Sequence, residues 1–114
     1  MLEERRKHPR YPIALMVKCA TRQRAMQMKS SDISLGGVFL RTTTPEPVGT
    51  AVTLCMRLPG GLEVEVEGLV VHTRKGVGMG IAFQRLAGRG QHALEIFIAG
   101  ARIEAFVARR DTLP

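Results

Sequence analysis

Residues 62–73 read LEVEVEGLVVHT, and their first half alternates strictly between apolar and acidic side chains. Successive side chains of an extended strand point to opposite faces. Leu62, Val64 and Val66 would therefore share one face, and the three neighbouring glutamates would share the other. A period of two over this length is typical of a β-strand with one buried face. The segment predicts a β-sheet protein in which Leu62, Val64 and Val66 point into the core.

Five more short segments with strand-like composition lie on either side of this strand. Turn signals separate several of them, including Pro59-Gly60-Gly61 and Lys75-Gly76. Short strands joined by turns of this kind are typical of antiparallel sheets and barrels. We therefore predict an all-β domain built as a six-stranded antiparallel β-barrel. Its strands should fall within residues 12–20, 24–34, 37–42, 51–58, 62–73 and 78–84.

The hydrophobic period changes near the C-terminus. Between Gln91 and Ala108 the apolar residues recur at spacings of three, four and seven, which place them on one face of a helix. No proline interrupts this segment, and several alanines favour helix. The sequence predicts a C-terminal helix over about residues 90–108, packed against the barrel and followed by a tail, 109–114.

The length and composition indicate one domain, which we place at residues 11–108. A chain of 114 residues is of single-domain size. It has no apolar run near the roughly 20 residues of a membrane span, so we expect no membrane insertion. The charged N-terminus lacks the apolar segment of a signal peptide, which favours a cytoplasmic location. Cys19 and Cys55 lie in apolar runs and are predicted to be buried free thiols.

The net charge of +7 is concentrated at the N-terminus. Residues 1–29 contain eight lysines and arginines but only two acidic residues. Such a cluster attracts phosphate groups, although a solvated basic tail would look the same. Residues 1–10 are polar and contain Pro9, with Pro12 close behind. They predict a flexible basic N-terminal arm.

Three motifs follow one another along the chain. Arg6 and Arg10 form R-x-x-x-R, with Arg5 directly before them. Residues 32–37, DISLGG, contain D-x-S-x-x-G, and a glycine-rich strand, GMGIAF, follows at residues 78–83. This combination and order resemble the PilZ domain family, bacterial receptors for cyclic di-GMP. The resemblance spans about residues 4–100 and implies a six-stranded barrel with a C-terminal helix.

The resemblance implies that Arg6 and Arg10 clasp the cyclic dinucleotide. Arginine suits this task, because it can pair with the O6 and N7 atoms of guanine and also grips phosphate with charge-assisted hydrogen bonds. In the family, a basic residue just before the first motif arginine often accompanies an intercalated pair of ligand molecules. Arg5 therefore implies that two cyclic di-GMP molecules bind here, and a solvent-exposed arginine is the alternative.

The D-x-S-x-x-G motif is expected to form the fixed half of the site. Asp32 and Ser34 would share one strand face, with Ile33 and Leu35 anchored in the core. A carboxylate can accept from the N1–H and N2–H donors of guanine, and a hydroxyl can bond a base or a phosphate. The two following glycines would permit positive φ and a close ligand approach. A plain turn is the alternative. The predicted ligand-binding residues are Arg5, Arg6, Arg10, Asp32, Ser34, Gly36 and Gly37.

No motif in the sequence indicates catalysis or a metal or cofactor site. His8, His72 and His92 lack partners at metal-ligand spacing, and no nucleophile motif is present. We therefore expect a receptor that passes its signal to a downstream protein when ligand orders the arm. One alternative is a PilZ-fold interaction module that does not bind the nucleotide. The other is a general nucleic-acid binder, which the scarcity of aromatic residues disfavours, so no DNA or RNA is expected.

Overall fold

Six antiparallel strands close into a barrel, as predicted. The computed structural model describes residues 8–86 and 88–111, and side chains up to residue 101. Neighbouring strands around the barrel follow the order β1-β2-β3-β6-β5-β4. The strands are β1 (Met16–Ala20), β2 (Ala25–Ile33), β3 (Gly37–Arg41), β4 (Ala51–Arg57), β5 (Glu63–Arg74) and β6 (Gly78–Leu86).

β5 confirms the alternating pattern from Glu63 to Val66, but the predicted pattern began one residue too early, at Leu62. Val64 and Val66 are each 1% exposed, while the glutamates beside them face solvent. Leu62 was predicted to point into the core, and this prediction is wrong, because it is 56% exposed. It precedes β5, and its carbonyl accepts the N–H of Leu58 at 2.8 Å, which closes the β4–β5 turn. Leu58, at 4% exposure, joins the core instead.

The C-terminal helix α1 spans Gly88–Asp111 and so extends beyond the predicted range of 90–108 at both ends. Leu94 and Ile98, four residues apart on one helix face, are 1% and 4% exposed. The helix contacts β5 and β6. Among the described side chains, Leu94 and Ile98 therefore confirm that the apolar helix face packs against the barrel.

β2 contains a bulge that changes which of its side chains face the core. Ser30 pairs with Leu40 and Asp32 pairs with Phe39, so Ser31 is an extra residue in the ladder. Before the bulge, Met28 and Ser30 are buried at even positions; after it, Ile33 is buried at an odd position. Without the bulge, strict alternation would point Asp32 inward. The bulge therefore delivers the Asp32 carboxylate to the outer surface.

A buried serine fastens the chain that leads into β1. Ser30, 1% exposed, accepts the N–H of Leu15 at 2.8 Å and donates its hydroxyl to the carbonyl of Ile13 at 2.6 Å. Its backbone N–H also donates to the Leu15 carbonyl at 2.9 Å. These bonds take the place of a regular ladder, since β1 begins only at Met16. Ser30 therefore holds the segment that joins the N-terminal arm to the barrel.

Replacing Ser30 with alanine is expected to lower the free energy of unfolding by about 1–3 kcal/mol, because the buried Leu15 N–H loses its acceptor. Ser31→Ala is the matched control. Ser31 is the exposed neighbour in the bulge, so its change should stay within about 0.5 kcal/mol. Urea unfolding of both variants measures the difference. Equal stabilities for the two variants would show that the Ser30 hydroxyl is dispensable.

Both cysteines are free thiols, as predicted, but only Cys19 is buried. Burial raises the pKa of the Cys19 thiol from its ordinary value of 9.0 to about 11, with a smaller contribution from Glu46. Cys55 was expected to be buried and is only partly so, because it lies on the outer face of β4. Partial burial and nearby Glu63 also raise the pKa of Cys55. Both thiols therefore stay protonated near neutral pH.

Candidate functional site

The segment from Asp32 to Gly37 leaves β2 and turns into β3 with its apolar residues held in the barrel. Ile33 is fully buried, and Leu35 is partly buried against the core, so both predicted anchors are confirmed. Ile33 also exchanges two backbone hydrogen bonds with Tyr11, each 2.9 Å long. Tyr11 thus ties the end of the N-terminal arm to this turn. Arg10 is the residue directly before that tie.

Ser34 organises the turn. It is 6% exposed and lies beyond the end of β2, so strand alternation does not govern its direction. Its hydroxyl oxygen accepts the N–H groups of Gly36 and Gly37 at 3.1 and 3.2 Å. Its own hydrogen reaches only the Gly37 carbonyl at 3.4 Å, which is a weak bond. The hydroxyl hydrogen is therefore available to a better acceptor at the surface.

Neither glycine of the turn adopts positive φ, so the conformational freedom noted in the sequence is not used here. What Gly37 supplies is space: a β-carbon there would collide with the backbone carbonyl oxygen of Ile81 in β6. Gly36 is less confined, since a β-carbon would lie 3.0 Å from Cδ2 of the His8 ring. His8 therefore lies beside the turn. Gly37 therefore allows the close approach of β3 and β6, whereas Gly36 leaves room for the His8 ring.

Arg10 and Asp32 form a loose ion pair above the turn. Nη1 of Arg10 lies 3.7 Å from Oδ1 of Asp32, and the two side chains are 39% and 28% exposed. A solvated pair at this distance contributes at most about 1 kcal/mol. A ligand can therefore separate these groups at low cost. Arg5 and Arg6, also predicted to bind, lie outside the described residues.

Two aromatic rings pack against each other on the outer face of the sheet, next to this pair. The ring centroids of Phe39 on β3 and His72 on β5 are 5.6 Å apart, with an interplanar angle of 29°. β6 runs between them, and its glycines make room for the rings. A β-carbon on Gly80 would collide with the His72 ring, and one on Gly78 would collide with the backbone carbonyl oxygen of Leu40 and lie 2.6 Å from Phe39 Cε2. Gly80 is therefore needed for the His72 ring, whereas Gly78 is needed both for the β3 backbone and for the Phe39 ring.

Two adjoining cavities, of about 340 and 230 Å³, share Arg10, Phe39 and His72. The larger is bordered by His8 and the Ser34–Gly37 turn, and the smaller by Asp32. We call the surface formed by both cavities the basic–aromatic surface. The residues that line it include His8, Arg10, Asp32, Ser34, Gly36, Gly37, Phe39, Arg41, His72, Arg74 and Gly80.

A third cavity, of about 690 Å³, lies between the β4–β5 turn and α1. It is mainly apolar, with residues such as Leu58, Leu62 and Ile96 in its lining. Its volume exceeds that of either cavity of the basic–aromatic surface, but it does not touch the motif residues. The basic–aromatic surface, by contrast, contains the motif residues Arg10, Asp32 and Ser34. We therefore regard that surface as the candidate site.

Sequence reasoning missed the ring pair. Phe39 and His72 come from strands far apart in the chain, so no local motif joins them. The available signal was the pair Gly78 and Gly80, two apart on one face of β6 beside buried Met79 and Ile81. Small residues at alternate positions indicate that something packs closely on that face. The sequence had suggested only a tightly packed strand there.

Among the residues that the structure describes, no group of three or more histidine, cysteine or carboxylate side chains could hold a metal ion. Within the same residues, no helix is long and apolar enough to cross a membrane.

Solved structures with the same fold include three proteins. The PilZ domain with c-di-GMP of YcgR from Escherichia coli aligns at 14% identity and a TM-score of 0.73, covering 96% of this chain and 99% of that one. The Bacillus subtilis inhibitor of motility (MotI/DgrA) aligns at 23% identity and a TM-score of 0.72. That alignment covers 83% of this chain and 50% of that one, so this chain spans about half the length of the Bacillus protein.

The PilZ domain of CeSA from a cellulose-synthesizing bacterium aligns at 18% identity and a TM-score of 0.63, covering 80% of this chain and 96% of that one. At these identities the likeness shows the fold. No curated protein matches the sequence. The family model for the PilZ domain matches residues 4–100, which is most of the chain. The protein therefore belongs to the PilZ domain family.

Proposed function

We propose that this PilZ domain is a cytoplasmic receptor that binds cyclic di-GMP on the basic–aromatic surface. One observation carries the proposal: the Arg10 guanidinium lies beside Asp32, at the junction of the two cavities and next to the D-x-S-x-x-G turn. Membership in a family with a c-di-GMP-bound relative supports it. No catalytic step and no cofactor form part of the proposal.

The polar groups of the surface complement the ligand. Asp32 presents acceptors to the N1–H and N2–H donors of a guanine, and Arg10 presents its planar fork to N7 and O6 or to a phosphate. Ser34 has a weakly engaged hydroxyl hydrogen, which suits a phosphate oxygen. Arg6, four residues before Arg10, and Arg5 beside it would bring further guanidinium groups to the same ligand. Two intercalated ligands are the stoichiometry that Arg5 favours.

The signal would pass through the arm. Tyr11 exchanges two backbone hydrogen bonds with Ile33, which holds the C-terminal end of the arm beside the turn that would contact the ligand. Phosphates neutralise the crowded arginines, and we propose that residues 4–10 then order across the surface and present a new face to a partner protein. Hydrogen exchange at residues 4–11 with and without ligand tests this step. Unchanged exchange at saturating ligand would rule out the ordering mechanism.

Titration calorimetry with cyclic di-GMP tests the receptor itself. We expect saturable binding, with a ratio of two ligands per chain if the intercalated pair forms. Excess GTP, GMP or single-stranded DNA should not displace the ligand, because none of these presents two linked guanines and two phosphates in a ring. Absence of binding would favour the alternative, an interaction module that does not use the nucleotide. Displacement by DNA would instead indicate a general nucleic-acid binder.

A further inference from the structure

The 690 Å³ cavity between the β4–β5 turn and α1 has exposed apolar residues along its rim. Leu62 on the turn and Ile96 on the helix both line it, and they are 56% and 60% exposed. Its lining also includes Leu58 and Val64, which are buried core residues. Single exposed apolar residues are common on protein surfaces, but two at the rim of one apolar cavity indicate an interaction site. We call this surface the apolar groove.

The helix wall of the groove belongs to a stripe that is separate from the barrel-facing side of α1. Leu94 and Ile98 are buried against the barrel, whereas Ile96, at about 100° per residue, is on nearly the opposite side of the helix. In the sequence, small or apolar residues recur through Ile96 at spacings of three and four: Ala93, Ile96, Gly100, Ile103 and Val107. This is the spacing by which two helices pack against each other. A β-carbon on Gly100 would meet nothing within 4 Å, so a second helix has room to approach there.

The charges around the groove favour a second copy of this chain as its occupant. Arg89 and Glu63 both line the groove, so its rim carries charges of both signs. Within the described residues, Arg89 has no acidic partner, and Glu63 pairs with Arg57 only at the exposed surface, where an ion pair contributes little. A two-fold interface brings the same surface of both copies together, so Arg89 of each copy can meet Glu63 of the other.

The net charge of +7 does not oppose such an association. The excess of positive charge is concentrated in residues 1–29, and none of these residues lines the groove. A strongly acidic or strongly basic partner would, by contrast, meet one charge of its own sign at this rim. A second copy supplies the complementary sign at both places.

We propose that two copies of this chain associate through the apolar groove, around a two-fold axis. Leu62 and Ile96 of each copy pack into the groove of the other, and Arg89 of each copy pairs with Glu63 of the other. One surface thus supplies both the exposed apolar residues and the cavity that receives them, as a two-fold interface requires. The groove shares no lining residue with the basic–aromatic surface, so the association goes beyond the proposed function and needs no ligand.

Sedimentation equilibrium of the protein without cyclic di-GMP tests the association. The mass of the unchanged protein should approach twice the 12.5 kDa of one chain as its concentration rises. Ile96→Glu should raise the dissociation constant of the dimer by at least about tenfold, because it places a charge in the apolar contact. Val48→Glu is the matched control, since Val48 is 61% exposed and lies outside the groove. Its dissociation constant should match that of the unchanged protein.

Charge reversal tests the pairing across the two-fold axis. Arg89→Glu should weaken the dimer, because it brings two carboxylates together, and Arg89→Glu/Glu63→Arg should restore it. Failure of the double variant to restore the dimer would overturn the Arg89–Glu63 contact.

Thermal unfolding verifies that each variant is folded. A mass that stays at 12.5 kDa up to about 1 mM protein would overturn the dimer. Equal effects of Ile96→Glu and Val48→Glu on the dissociation constant would overturn the groove as its interface. Both results would leave the receptor function intact, because titration with cyclic di-GMP tests that function separately.

Discussion

Arg10→Ala is expected to lower the affinity for cyclic di-GMP by at least about a hundredfold. Arg10 lines both cavities, and the adjacent Tyr11–Ile33 pairing holds its backbone beside the turn. In the proposed receptor its guanidinium contacts the ligand directly. Each charge-assisted hydrogen bond that it loses is worth about 1.5–3 kcal/mol, and a bidentate contact loses two. Calorimetric titration measures the change.

Arg10→Lys should recover little of this affinity, because an ammonium group supplies charge without the planar fork that meets both acceptors of guanine. Arg85→Ala, at an exposed residue outside both cavities, controls for the loss of positive charge. All three variants should unfold within about 1 kcal/mol of the unchanged protein, since the Arg10–Asp32 pair is solvated. Equal affinities for Arg10→Ala and Arg85→Ala would refute the role of Arg10.

Gly37→Ala is expected to destabilise the barrel by about 1–3 kcal/mol or more. Its new β-carbon would meet the Ile81 carbonyl oxygen, a backbone atom in the β3–β6 ladder that has no flexible way to yield. Gly36→Ala is the matched control one residue earlier. Its β-carbon would meet only the His8 ring, which is a side chain and can rotate away. The control should therefore change stability by less than about 0.5 kcal/mol.

Urea unfolding of the two alanine variants compares these neighbours directly. Gly36→Ala should remain folded, and any loss of its ligand affinity would then report contact of the ligand with the turn. Gly37→Ala should show a lower unfolding midpoint even without ligand. Similar midpoints for both variants would mean that the close approach of β3 and β6 does not restrict residue 37.

The strands could be predicted because their local pattern and their environment agree. In β4, β5 and most of β2, one face is buried and the other is exposed to solvent, so apolar residues recur with period two. The prediction for Leu62 was wrong because the alternating pattern begins one residue before β5. Leu62 lies in the turn that its hydrogen bond with Leu58 closes. Nothing local distinguishes an apolar residue at a strand start from one in the turn before it.

The site could be predicted only where a motif is contiguous. Asp32 and Ser34 stand two residues apart in the chain, and the sequence identified both as candidates. The stacked Phe39 and His72, by contrast, meet only because β6 inserts between β3 and β5 in the barrel order. Their strands are distant in sequence, so the contact depends on topology. Arg41 and Arg74 meet across Gly78 for the same reason.

By itself, the sequence determined the class of the fold, the family and the residues of the two motifs, because these depend on periodicity and on short spacings. Only the tertiary structure decided where those residues point. The Ser31 bulge turns Asp32 outward, and the Tyr11–Ile33 pairing brings Arg10 beside it. Closure of the barrel then brings the Phe39 and His72 rings together and places Arg41 and Arg74 on either side of Gly78. Such placements arise from long-range strand pairing, which local side-chain patterns do not encode.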